Sequence, residues 1–170
     1  RFADLLSDRQ VTFIPGDAEQ LSFPSGQDLI VSCSALQWFV SPELFFKRCN
    51  ALLSGHGYFA FSTFGKENLK EIAAVTGSGL HYYSLEELKK SLSMHYNIVT
   101  AGEERIRLTF ATPLDVLYHL KHTGVTAVCR QAWTKGDLQE FCDKYAKLFS
   151  CGNAVTLTYH PLYIIARKKP

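Results

Sequence analysis

The chain has 170 residues, 46% of them apolar and 20% charged, with a formal net charge of +2. That is enough chain to bury a real core, too apolar for a disordered protein, and too near neutrality to argue for nucleic-acid binding. No apolar run approaches the roughly 18–20 residues of a bilayer span, and five cysteines with no C-x-x-C fit free thiols in a reducing cytoplasm.

Phe2–Ser7 reads as the tail of a helix and Val11–Pro15 as a short β-branched strand. Asp28–Cys33 is almost continuously apolar, the pattern of a strand covered on both faces. Ser41, Pro42 and Glu43 supply an N-cap, a first-position proline and an acid at the positive end of a helix. Leu44, Phe45, Leu52 and Leu53 form its apolar face and Gly55 its stop. A strand follows over Gly57–Thr63, then a helix over Asn68–Thr76 ending at Gly77. Ser84 and Glu87 make a capping box that opens a helix to about Ser93. Asn97–Ala111 alternates as a strand with a bend at Ala101–Glu103. Thr112 and Pro113 open a helix over Leu114–Thr123, closed by Gly124. Thr134–Phe149 is an amphipathic helix with Leu138, Phe141, Cys142, Tyr145 and Leu148 at helical spacing. Asn153–Ala166 closes as a long strand. The early alternation of strand and helix predicts a parallel sheet; the last two strands lack a crossover and admit an antiparallel member.

Two strand ends carry the candidate chemistry, Gly16–Phe23 and Asp28–Phe39, because ligands of open α/β sheets sit outside the carboxyl ends of strands. Asp17 follows a strand and a glycine, where one carboxylate and neighbouring amides can face a ligand; the alternative is that it caps a short turn. Ser32, Ser34, Gln37, Trp38 and Phe39 combine polar handles with an aromatic wall, unless Trp38 is simply core. His119 and His122 stand three apart on a helix, but no third ligand accompanies them, so no metal is expected. Gly77-Ser78-Gly79 is not a nucleophile elbow.

The G-D-A-E-x-L stretch from Gly16, the A-L-Q-W-F loop from Ala35 and the F-S-T-F-G ending at Gly65 resemble class I S-adenosylmethionine-dependent methyltransferases. With L-K-H-T-G at Leu120–Gly124 and L-T-Y-H at Leu157–His160, the pattern narrows. It is similar to the malonyl-acyl-carrier-protein O-methyltransferase family of biotin synthesis, over about Val11 to Arg167. The resemblance implies an α/β, Rossmann-like sheet of order three-two-one-four-five-seven-six with the seventh strand antiparallel. The first two strands and the glycine-rich turn of that family have no counterpart here, so residues 1–170 are expected to be a single methyltransferase domain shortened at its N-terminal side. The resemblance also implies S-adenosylmethionine as cofactor, held by Asp17, Ala18, Glu19, Ser32, Gln37 and Trp38.

The implied acceptor is malonyl-acyl carrier protein. Its carboxylate is ionised at neutral pH, because such acids titrate near 4, so no general base is required. A grip on that carboxylate is required, and Tyr159, His160 and Lys121 are the leading candidates, with Arg107 also available. For Tyr159 and His160 a core role is the alternative, and for Lys121 a helix cap. Lys66, Lys89, Lys90, Arg130 and Lys135 are candidate contacts for an acidic carrier protein or ordinary surface charges. Two other readings stay open: a class I enzyme acting on a quinone precursor or free small acid, and a non-catalytic relative that docks carrier protein.

Overall fold

The structure is a computed structural model describing residues 12–125 and 133–170. Strand β1 (Gln27–Cys33) leads through a 3-10 turn (Leu36–Trp38) into α1 (Pro42–Leu52) and β2 (Leu53–Phe64). Helices α2 (Lys70–Thr76) and α3 (Leu85–Leu92) follow, then β3 (Tyr96–Glu103), β4 (Ile106–Phe110) and α4 (Pro113–His122). The chain closes with α5 (Lys135–Phe149), β5 (Ser150–Cys151), β6 (Ala154–Tyr159) and β7 (Pro161–Lys168).

β1 and β2 are parallel, β7 runs antiparallel to β2, and β3 antiparallel to β7, in the order β1-β2-β7-β3. This is the four-five-seven-six end of the expected sheet, antiparallel strand included. One face buries Phe59 and Phe61 of β2 with Leu162 and Ile164 of β7 under Phe46 and Cys49 of α1 and Leu88 and Leu92 of α3. Tyr96 closes this core, and its hydroxyl donates to the Phe46 carbonyl at 2.8 Å. On the opposite face Leu29, Val31, Tyr163 and Ile165 are 56%, 58%, 45% and 40% exposed. The expectation that β1 is covered on both faces therefore fails among the described residues, which leave this face of β1 uncovered.

The two long strands expected near the end each divide. β3 and β7 lie in the first sheet; β4 and β6 lie with β5 in a second, of order β4-β6-β5. The register runs through unbroken, since Glu103 faces Leu162 and Ile106 faces Tyr159. This is one antiparallel ladder bent between its halves. The bend falls at Glu104 and Arg105 opposite His160, rather than at Ala101–Glu103, and a separate irregularity lies between Ile98 and Thr100. The second half carries its own core: Ile72 of α2, Val116 and Leu120 of α4, Phe141 and Tyr145 of α5, and Leu157 of β6.

Other boundaries moved for identifiable reasons. Thr12–Pro15 forms no strand, and Val11, like Phe2–Ser7, lies outside the described residues. Phe13 and Ile14 stand exposed, and a strand with no neighbour gains no ladder hydrogen bonds. Helix α1 stops at Leu52 and not at Gly55, because Leu53 already pairs with Gln27 of β1. Gly57 is required in β2, where a Cβ would stand 2.8 Å from the Gln27 carbonyl. Gly65, just past β2, lies flat on the His160 ring, and a Cβ there would come within 2.6 Å of Cε1. Replacing Gly65 by Ala should therefore force the ring aside and lower stability by about 2 kcal/mol, the usual scale of overpacking. Chemical denaturation of the two proteins checks this, and an unchanged midpoint would refute the contact.

Candidate functional site

The site is built where parallel β1 and β2 end. Ser34 takes a left-handed conformation with φ 50°, turning the chain across the sheet top. Its amide donates to the Ser62 carbonyl at 3.0 Å, which anchors the turn to β2. Gln37 in the following turn is fixed at both ends: Nε2 donates to the Ser34 carbonyl, and Oε1 accepts from Thr63 Oγ1 at 3.2 Å. Trp38 beside it is 48% exposed, so it is a wall of the surface and not core.

The Asp17–Gln20 turn packs against this loop. Asp17 takes the turn-capping role here, accepting from the Glu19 amide and from Gln20 Nε2, each at 2.9 Å. Glu19 accepts from the amides of Val40 and Ser41, both at 2.9 Å. These amides open α1, whose expected cap Ser41 makes no side-chain bond of its own. Glu19 thus caps α1 from outside the helix, satisfying orphan donors and meeting its positive end.

Two clefts flank the Leu36–Phe39 loop, and Phe39 lines both. The smaller, about 460 Å³, is mainly apolar and includes Ala18, Ile30, Ser32, Ala35 and Phe45. The larger, about 910 Å³, opens between Gln37 and Trp38 on one side and Gly77–Tyr83 on the other, with Asn68 and Lys70 on its wall. Of the residues expected to hold cofactor, Ala18 and Ser32 line the first cleft and Gln37 and Trp38 the second. Asp17 and Glu19 form the turn behind them.

The three residues expected to grip substrate lie elsewhere. The His160 ring is buried, accepting from the Glu67 amide at Nδ1 (3.1 Å), which leaves the proton on Nε2 facing Glu103 Oε2 at 3.1 Å. Both ring nitrogens are therefore taken by the protein. The Tyr159 hydroxyl meets His119 Nε2 at 3.0 Å, and burial pushes its pKa up. Lys121 is exposed on the last turn of α4 and lines neither cleft. Arg107 lines a third cleft of about 310 Å³, with Glu67, Lys70, Arg105 and Thr158. Among the suggested carrier contacts, Lys66 pairs with Glu87 and Lys89 with Glu86. Lys90 lies on α3 and Lys135 opens α5; Arg130 lies outside the described residues.

Sequence reading passed over five residues near this region. Glu67 bonds Arg105 and Lys70, and those two cations hold its carboxyl down to about 2. Glu103 bonds His160 and Arg105, which also lowers its pKa. Glu71 is buried on α2 and accepts from the Thr158 amide and hydroxyl. Its neighbours Ile72 and Val75 on the same buried face are the one signal in the sequence that could have found it. Asn68 bonds Tyr82, and nothing in their spacing marks them.

The sheet order, its antiparallel strand and the clefts at the parallel strand ends define a class I methyltransferase fold. Residues 2–61 match the family described as "Methyltransferase domain". The fold is similar to that of a Bacillus halodurans C-125 protein, with TM-score 0.67 and 17% identity over 99% of this chain and 76% of that one. It is also similar to Haemonchus contortus phosphoethanolamine N-methyltransferase 2, solved with phosphomonomethylethanolamine and S-adenosylhomocysteine (TM-score 0.56, 15% identity, 99% of this chain, 40% of that one). The chain belongs to the malonyl-[acyl-carrier protein] O-methyltransferase family. It is 56% identical to the Bacteroides thetaiotaomicron member over 98% of this chain and 67% of that protein. It is 58% identical to the Bacteroides fragilis member over 98% of this chain, and 42% identical to the Haemophilus influenzae member over 91%. The chain spans 34% and 60% of the lengths of those two relatives.

Two outcomes follow from these contacts. Glu19→Ala uncaps α1 and should cost about 1–2 kcal/mol in denaturant unfolding, the range of N-cap losses, whereas Glu19→Gln keeps one acceptor and should cost less. The depressed Glu67 carboxyl contributes stability that is complete above the unfolded value near 4.3 and is lost as pH falls through about 2. A carboxyl NMR titration should place its midpoint near 2, moving up toward the ordinary range in Arg105→Ala. An unmoved midpoint would exclude the Arg105 pairing as its cause.

Proposed function

We propose that this protein transfers a methyl group from S-adenosylmethionine to the free carboxylate of malonyl-acyl carrier protein, early in biotin synthesis. The observation that carries this reading is the 56% identity, over 98% of the chain, to a malonyl-[acyl-carrier protein] O-methyltransferase. All 170 residues are read as one methyltransferase domain. The reading sets the reaction in the reducing cytoplasm, where free Cys33, Cys49, Cys142 and Cys151 stay as thiols. No helix among the described residues is long and apolar enough to cross a membrane.

The donor set fits the proposed cofactor. Ala18, Ile30 and Phe39 offer an apolar slot for a flat base, with the Ser32 hydroxyl on its wall. Asp17 keeps lone pairs beyond those used in its turn, enough to accept from an amino group. Half-exposed Trp38 is a face for a cation, worth about 0.5–2 kcal/mol. Bound S-adenosylmethionine supplies an electrophilic methyl group.

The chain's own task is then alignment. The malonyl carboxylate is already ionised at neutral pH, so no residue has to remove a proton. Attack must be in line, and pre-set geometry lowers the barrier by removing the search for orientation. The loop Leu36–Phe39, pinned through Gln37 to both Ser34 and Thr63, is a fixed partition between the two clefts. It suits orienting donor and acceptor toward each other where the two clefts adjoin at Phe39.

Transfer of labelled methyl from S-adenosylmethionine to malonyl-acyl carrier protein, with acetyl-acyl carrier protein as control, tests the reading in the full protein. Methylation of the malonyl form alone is expected. Transfer to neither, with cofactor still bound, would instead favour a small-molecule acceptor.

A further inference from the structure

The larger cleft has several polar groups on its wall, and most are already committed. Lys66 pairs with Glu87 at 2.8 Å and Lys70 with Glu67 at 3.0 Å. Gln37 is held by Ser34 and Thr63. Ser78, His81 and Trp38 stand exposed, where water competes for any hydrogen bond. Tyr82 differs from all of these. It is half-buried, and among the described residues its hydroxyl has one partner, Asn68 Nδ2 at 3.0 Å.

The direction of that bond is fixed by a third group. The backbone amide of His160 can only donate, and it meets Asn68 Oδ1 at 3.2 Å. Asn68 must therefore turn its amino group toward Tyr82, and the phenol oxygen accepts. A hydroxyl has one proton, and among the described residues no protein acceptor takes this one. Burial pushes the Tyr82 pKa up, so the proton stays in place at neutral pH. Asn68 itself is only 5% exposed, so the arrangement is rigid.

We propose that Tyr82 grips the free carboxylate of the acceptor, donating its hydroxyl proton into the larger cleft to a carboxylate oxygen, with Asn68 fixing that polarity. This rests on the reaction proposed above. A neutral donor suits the chemistry better than a cation. The attacking carboxylate loses charge as it takes up the methyl, so a cation would stabilise the ground state more than the transition state and slow transfer. A phenol orients the acid at a smaller penalty. It also selects for an acyl group that ends in a carboxylate, because an apolar end would leave the half-buried hydroxyl without an acceptor.

The test is steady-state methyl transfer to malonyl-acyl carrier protein by the full protein and two variants, with cofactor affinity measured by calorimetry. Tyr82→Phe should raise KM for the acceptor about tenfold to a hundredfold, as loss of a hydrogen bond to a charged group does, with kcat changed less than about threefold. Cofactor affinity should stay within about twofold, since a partner on the acceptor side contributes nothing to it. Asn68→Asp presents a carboxylate to the phenol, draws its proton away from the cleft, and should raise KM similarly. The double variant should be no worse than the poorer single one, because both remove the same bond. An unchanged KM in Tyr82→Phe, or a loss confined to kcat or to cofactor affinity, overturns the proposal while the reaction stands. No transfer by the unsubstituted protein overturns the reaction and the proposal with it.

Discussion

The architecture depends on how one antiparallel ladder turns a corner at His160. Four hydrogen bonds hold that residue. Its amide donates to Asn68, its carbonyl accepts from the Gly65 amide at 2.7 Å, Nδ1 accepts from Glu67, and Nε2 faces Glu103. Gly65, Glu67 and Asn68 belong to the connection between β2 and α2, and Glu103 ends β3. The bend thereby ties both cores to the segment that walls the larger cleft. A buried imidazole with every polar atom paired is stable in such a place, whereas an unpaired one would cost about 1–3 kcal/mol.

Charge around the bend is internally balanced. Arg105 bridges Glu67 and Glu103, and Lys70 completes the Glu67 pairing. Exposed pairs of this kind add little to stability because water and salt screen them. Their effect on the cleft is larger than their effect on the fold, since they occupy cations that could otherwise bind an anionic acceptor. The half-buried group left there to meet a carboxylate is the Tyr82 phenol, positioned by Asn68, which agrees with a reaction in which the nucleophile gives up its charge.

The site was partly legible. The G-D-A-E turn and the A-L-Q-W-F loop, read as two strand ends, do meet across the sheet top, with Phe39 shared by both clefts. Glu19 was expected near a cofactor, and its contact with the amides of Val40 and Ser41 links residues 21 and 22 positions apart, beyond any local pattern. Tyr159, His160 and Lys121 were all read as candidates to grip the acceptor carboxylate, with a core role as the alternative for the first two and a helix cap for the third. The fold separates them, one against His119, one inside the bend and one at the surface. Asn68 and Tyr82 escaped notice because neither has a partner within a turn of chain.

Local chemistry by itself determined where α3, α4 and α5 begin. Capping boxes at Ser84, Thr112 and Thr134 and apolar spacing along α5 act over a few residues, and each helix starts where those signals stand. Strand composition likewise marked β1, β2 and the two late β segments, and family resemblance supplied their order. Only the tertiary structure decided where the late strands bend and what His160 does. A long alternating run is compatible with a straight or a bent ladder, and the choice is made by Gly65, Glu67 and Asn68, more than 90 residues earlier in the chain. The direction of the Tyr82 hydroxyl has the same origin: it follows from a backbone amide that approaches Asn68 only after the sheet has closed.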